Sequence, residues 1–332
     1  MRAVMAALMS LGCACLCVSP AEGGPDATLA NRQHELATLN VVARVALPAA
    51  PDWIAIGFGS VWVVNYRPDR ISRIDPGTAR LIADVPLGPD ACLGIAIALD
   101  RVWAPTCGDG VINEIDPRTN RVVRRINAPI KAGREGAFAY ANHSFWIPAN
   151  ASDASSSALA RIDASSGRLL ATIPVGKRTD VAIAGFGSVW AASSDENVVL
   201  RIDPVSNIVM QRISVGGSPK FMTAGAGAVW VQNRSDGSVT RIDVDGNRET
   251  ARIEAQAPTE WGDIATGAGA VWLSVDGKPV TRIDPRTNEV SHQFVGGDGA
   301  DATRYGLGAL WVADHKRGEL WKIDVSGMGS AR

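Results

Sequence analysis

Cysteine and histidine are scarce in this chain: five and four in 332 residues, with Cys13, Cys15 and Cys17 crowded near the start. Beyond them only Cys92 and Cys107 remain, and no cysteine–histidine grouping has the spacing of a zinc site. Tyrosine and phenylalanine are also few, at three and six. The 46% hydrophobic content therefore rests on many small Val, Ile and Ala residues. Net charge is −1 and no basic stripe occurs, which removes the electrostatic case for nucleic acid. After residue 21 no apolar run approaches membrane-spanning length. GxSxG, HExxH and phosphate-loop motifs are absent. GxG occurs in GAGAVW and GFGSVW, but between two strand-like runs, which is the wrong context for a dinucleotide fingerprint.

Residues 1–21 are a different material. Arg2 is their one charge, an apolar run follows, and Ser19, Pro20 and Ala21 supply a small-residue cleavage site. They read as a secretory signal peptide, with a lipoprotein signal as the alternative, and export implies a periplasmic or secreted protein. Residues 22–38 are polar and read as a flexible tether.

What the chain has in abundance is repetition. From Asp180 to Gly217 four short apolar runs alternate with Gly, Asn, Asp and Pro, the pattern of a four-stranded antiparallel meander. Its marker, the second residue of the second strand, recurs as Trp62, Trp103, Trp146, Trp190, Trp230, Trp272 and Trp311. A second marker keeps phase with it: the triplets ending at Asp75, Asp116, Asp163, Asp203, Asp243, Asp284 and Asp324. A period near 40 residues with four strands in each signals a seven-bladed β-propeller over residues 40–324, leaving 325–332 as a tail.

The run at 40–47 matches a fourth strand yet precedes any blade, whereas the last copy stops after its third strand at Asp324. The ring is thus expected to close by an N-terminal strand completing blade seven, which removes two open edges. Turns such as Asp75-Pro76-Gly77-Thr78 have Pro to preset the bend and Asp to accept backbone N–H groups. The repeat Trp is read as a packing residue. In blade two the hairpin falls at Leu99 and Asp100, midway between Cys92 and Cys107. Directly opposed strand residues have Cβ atoms about 4.5–5.5 Å apart, so a Cys92–Cys107 disulfide is expected in an exported chain.

The stretches GFGSVWVVN, GAGAVWVQN and RIDPRTNEV resemble the YVTN-type and streptogramin-lyase-like seven-bladed propellers of secreted bacterial proteins. The resemblance covers roughly residues 40–324 and rests on architectural motifs, so it implies fold before chemistry. In the lyases a catalytic His and Glu stand about ten to twelve residues before a repeat Trp. Here the position ten before Trp holds Asp52, Leu93, Gly136, Asp180, Lys220, Gly262 and Asp301, with no histidine. The acidic residue three after Trp survives as Asp314 alone.

Chain direction puts the blade-to-blade connections and the second-to-third strand loops on one face, here the loop face, and the tight hairpins on the other. Inner strands have mostly small residues, against which Tyr140, Thr223, Arg304 and Tyr305 stand out. Connections add Asp52, Glu135, Asp180, Lys220, Trp261, Asp263 and Asp301. Asp52, Asp180, Asp263, Asp301, Arg304, Tyr305, Trp261 and Lys220 are the candidate ligand-binding set at the channel mouth, against the plainer reading of solvated loop residues. No cofactor is expected, although a divalent cation would suit such carboxylates. The chain is read as a monomeric binding or interaction module for a small polar ligand or a protein partner. The competing class is a streptogramin-lyase-like or lactone-hydrolase-like enzyme with a metal at the mouth.

Overall fold

The computed structural model describes residues 27–130, 135–150 and 156–329. The expected signal peptide, the start of the tether and part of the long third-copy loop lie outside the described residues.

Seven four-stranded antiparallel sheets stand in a ring. Blade one uses Ala50–Gly57, Ser60–Tyr66, Arg70–Asp75 and Arg80–Pro86 from the channel outward, and blades two to six repeat that order. Inner strands of successive blades touch all the way round, including blade seven against blade one. Each inner hairpin turns on two residues with positive φ, such as Phe58-Gly59 and Phe186-Gly187. That is the type I′ geometry that matches strand twist, and glycine supplies one of the two residues in most blades.

All seven repeat tryptophans are buried, at 1% exposure or less. Each indole Nε1 donates to the carbonyl five residues earlier, from 2.9 Å for Trp103 to Ala98 to 3.2 Å for Trp311 to Gly306. This explains why the marker is Trp rather than Phe: the ring fills the space between blades and its N–H closes the hairpin beneath it. Turn aspartates behave as expected, with Asp75 Oδ1 accepting from Gly77 and Thr78 N–H at 2.8 Å each.

A second device joins the blades to one another. The guanidinium of Arg73 lies 5.0 Å from the Trp62 ring and donates to Asn120 Oδ1 in the turn of blade two. Arg161 reaches Asn207 in blade four, Arg201 reaches Asn247 in blade five, and Arg241 reaches Asn288 in blade six. Where blade two has Glu114, Arg124 takes over, held by Glu114 and donating to the Ala164 carbonyl of blade three. Lys322 of blade seven donates to the Pro76 carbonyl of blade one.

Closure follows the expected route. Val41–Ala46 pairs antiparallel with Glu319–Ile323 as the outer strand of blade seven. Arg44 seals the joint, 4.5 Å from the Trp321 ring and 3.3 Å from Glu319. Two stretches placed outside the ring by the sequence reading pack against it. Gln33–Glu35 adds a parallel fifth strand to blade six, and His34 stacks on His292 with ring centroids 5.4 Å apart. Val325 and Met328 are buried beneath blade seven.

The Cys92–Cys107 disulfide is present, with Cα atoms 5.9 Å apart. Its setting differs in one respect from the simple cross-strand pair. Regular pairing in blade two's inner strand covers only Ala96–Ala98, and Leu93 and Gly94 take positive φ, so Cys92 lies above the ladder. The bridge fastens a stretch that the hairpin leaves loose, with Cys92 N donating to the Pro105 carbonyl at 3.1 Å. A disulfide is compatible with an extracytoplasmic location. Among the described residues no helix is long and apolar enough to cross a membrane.

Candidate functional site

The inner strands enter the ring from the loop face, and there the ladder of four of them is broken. Register shifts fall between Pro51 and Ile54, Thr179 and Val181, Pro219 and Met222, and Ala300 and Thr303. Such bulges re-aim side chains that a regular strand would send sideways into the sheet. They coincide with the position ten residues before the repeat Trp, and so carry Asp52, Asp180, Lys220 and Asp301.

Between them opens a cavity of about 730 Å³, lined in part by Asp52, Tyr66, Glu135, Trp261, Asp301 and His315. Several of the residues expected at the mouth are not solvated loop residues. Asp52, Lys220, Asp263 and Asp301 are each at least nine-tenths buried, whereas Trp261 is half exposed. Lys220 Nζ pairs with Glu135 Oε2 at 2.7 Å and stands 4.9 Å and 5.6 Å from the Phe221 and Trp261 rings. Asp301 accepts from Gly262 N–H at 2.9 Å, with His315 Nδ1 3.8 Å from its other oxygen. That ring nitrogen is buried and makes no hydrogen bond. Deeper in the channel Arg304 pairs with Asp263, whose carboxylate also accepts from Ile264 N–H at 2.8 Å.

Crowding shapes the ionisation of these groups. Burial pushes Asp52 well above the ordinary carboxylate range, and the nearby charges of Asp301 and Glu135 push it further, against the Tyr66 hydrogen bond. Burial raises Glu135 to about 7 even with Lys220 opposing. It also raises Asp301 against His315 and Asp263 against Arg304. Tyr66 accepts from Trp53 Nε1 at 3.1 Å and is raised by burial and by the adjacent Asp52. Among the described residues no three His, Cys, Asp or Glu side chains group so as to hold a metal ion.

Of the eight expected mouth residues, Asp52, Trp261 and Asp301 line the cavity and Lys220 supports it through Glu135. Asp263 and Arg304 sit together below it. Asp180 is on its own bulge in blade four, where its carbonyl accepts from Ala137 N–H at 3.1 Å. Tyr305 stands near the hairpin end of its strand, packed over Gly267. Its place two residues before the Leu307-Gly308 hairpin puts it at the far side of the ring. Tyr66 and His315 were not singled out in the sequence. Both lie four residues beyond a repeat Trp, on the second-strand side of the loop face, a position that the inner-strand pattern does not reveal.

Compared with known proteins, the chain matches no family model and no curated protein.

Proposed function

We propose that this chain is an exported binding module, related to the YVTN-type and streptogramin-lyase-like propellers, that takes a small organic cation at its loop-face mouth. The observation that carries the reading is the meeting of Asp52, Glu135 and Asp301 in one cavity beside half-exposed Trp261. Five carboxylates, with Asp69 and Asp90 added to these three, share that wall with one guanidinium, Arg67, while the buried ammonium of Lys220 stands behind Glu135. A ligand cation relieves their mutual repulsion, and an aromatic face adds cation–π attraction once water is displaced. Lys220 itself illustrates the chemistry, its ammonium flanked by a carboxylate and two rings. The volume falls in the range of small-molecule sites.

Calorimetric titration with ethylammonium, tetramethylammonium and Ca²⁺ tests this reading. Organic cations should bind saturably, and Asp52→Asn should weaken them. Binding of Ca²⁺ alone would replace it with the metal reading, and silence from all three would remove it.

An enzyme is the second reading, favoured by Glu135. A carboxyl group titrating near 7 in a cavity is poised for acid–base work at neutral pH. A rate that follows Glu135 ionisation against lactone or lyase substrates, and disappears in Glu135→Gln, would favour it over simple binding.

A further inference from the structure

Seven blades offer an internal control for the cation of the third-strand triplet. In five of them the Arg or Lys lies over its own repeat Trp and donates to the turn of the next blade, and Arg124 does so for blade two. Among the described residues Arg282 of blade six is the exception. It makes no ring contact with Trp272, reaches no neighbouring blade, and donates only to Ser291 Oγ at 2.7 Å within its own blade.

The reason is legible in the residues it would need. Counting four on from the turn aspartate gives Asn207, Asn247 and Asn288 in blades four to six, and Met328 in blade seven. The carbonyl that would correspond to Pro285 belongs to Val325, and a 3₁₀ turn at Ser326–Met328 directs Met328 N–H onto it at 3.0 Å. A serine two residues before Trp, which accepts from Arg73 and Arg201 in their blades, is Ala270 here. Arg282 has therefore lost the turn asparagine, which is the decisive loss, since Arg241 is latched to the next blade with Ala228 in the serine's place. Arg282 is nevertheless only 5% exposed, and burial presses against its charge.

Beside it is a cavity of about 410 Å³ on the hairpin face, whose wall includes Arg282, Arg286, Trp272, Tyr305, Val325 and Met328. The other charges there are already engaged. Arg286 pairs with Asp284 at 2.9 Å, while Asp324 accepts from Ser326 N–H at 2.9 Å and from Asn40 at 3.3 Å.

We propose that this cavity is a second binding site, for a small carboxylic acid with an apolar body, whose carboxylate takes the place of the missing turn acceptors at Arg282. Elsewhere a repeat Arg meets a turn carbonyl and an Asn oxygen together, as Arg241 meets those of Pro285 and Asn288. One carboxylate presents two oxygens to a guanidinium in the same manner, which a point-like or tetrahedral acceptor does less well. Trp272, Tyr305, Val325 and Met328 give the rest of the molecule an apolar wall. The ligand thereby bridges blades six and seven, the seam that lacks its own latch.

Calorimetry on the full chain with benzoate, benzamide and inorganic phosphate tests the proposal, with Met328→Asn and Arg282→Gln as variants. Benzoate should bind at one site and benzamide should not. Met328→Asn supplies the repeat's own acceptor, so it should raise the melting temperature and weaken benzoate about tenfold or more. Asp52→Asn, on the opposite face, should leave benzoate binding unchanged, which separates this site from the mouth. Absence of benzoate binding, phosphate binding in its stead, or undiminished affinity in Met328→Asn overturns the inference. Should Arg282→Gln fail to fold, Met328→Asn still decides.

Discussion

Lys220 Nζ lies 2.7 Å from Glu135 Oε2, although the two residues are 85 apart in sequence. The pair ties the connection before blade three to the inner strand of blade five, across the mouth of the channel. The pair is set in a buried place, and that burial raises Glu135 to about 7 even though Lys220 opposes the shift.

That displacement makes stability depend on pH with a definite sign. An acid raised in the folded state binds more protons than it does unfolded, so stability falls as pH climbs from about 4.5 to about 7. Glu135 alone contributes a loss on the order of 3 kcal/mol at most, and Asp52 acts in the same direction. Thermal melts should show a higher melting temperature at pH 5 than at pH 8, and Glu135→Gln should flatten the difference. A melting temperature rising through that window, unchanged by the variant, contradicts the assignment.

Arg304 and Asp263 should respond to substitution as a coupled pair with one buried partner. Arg304→Ala leaves the buried Asp263 carboxylate without its ion pair, a change that costs less than the roughly 3–5 kcal/mol of a fully buried pair because the guanidinium is about one-third exposed. Converting both, to Met and Asn, should recover much of the loss. Chemical denaturation of the two single variants and the double measures the coupling, and additivity would mean that the pair is not coupled.

Truncation separates the two N-terminal strands. Removal through residue 38 strips the parallel strand Gln33–Glu35 from blade six and should lower the melting temperature modestly. Removal through residue 47 also takes Val41–Ala46 and should open blade seven, with a far larger loss. Equal melting temperatures for the two would show that the outer strand of blade seven is dispensable.

The disulfide should be detectable by mass: the unreduced chain is two hydrogens lighter than the reduced one. Replacing both cysteines by serine should cost up to about 3 kcal/mol by the chain-entropy estimate for a loop of this size. Because the bridge fastens residues above the regular ladder, hydrogen exchange should quicken around Leu93 and Gly94 before it changes at Ala96–Ala98.

Fold and closure were readable because they rest on local chemistry repeated in phase. Trp needs a carbonyl five residues back, Asp needs a tight turn, and both leave marks at fixed spacing. The mouth was half readable. Asp52, Lys220 and Asp301 share the place ten before Trp, but whether each faces solvent or its neighbours depends on bulges that sequence does not mark. Tyr305 was misplaced for the related reason that position along an inner strand, not polarity, decides which face a side chain meets. Arg282 fits the triplet perfectly in sequence; its isolation arises from Met328, a residue in the next blade.

The joint between Arg44 and Glu319, 275 residues apart, also has a bearing on time. Six blades can be assembled from neighbouring segments as they become available, whereas the seventh waits for the last repeat to meet the first strand. Pairing over so long a separation carries a large loop-closure entropy and comes late in folding. Until then the third strand of blade seven offers a bare edge to any other extended chain. The step that turns an open arc into a ring is therefore the one at which a crowded solution competes with folding.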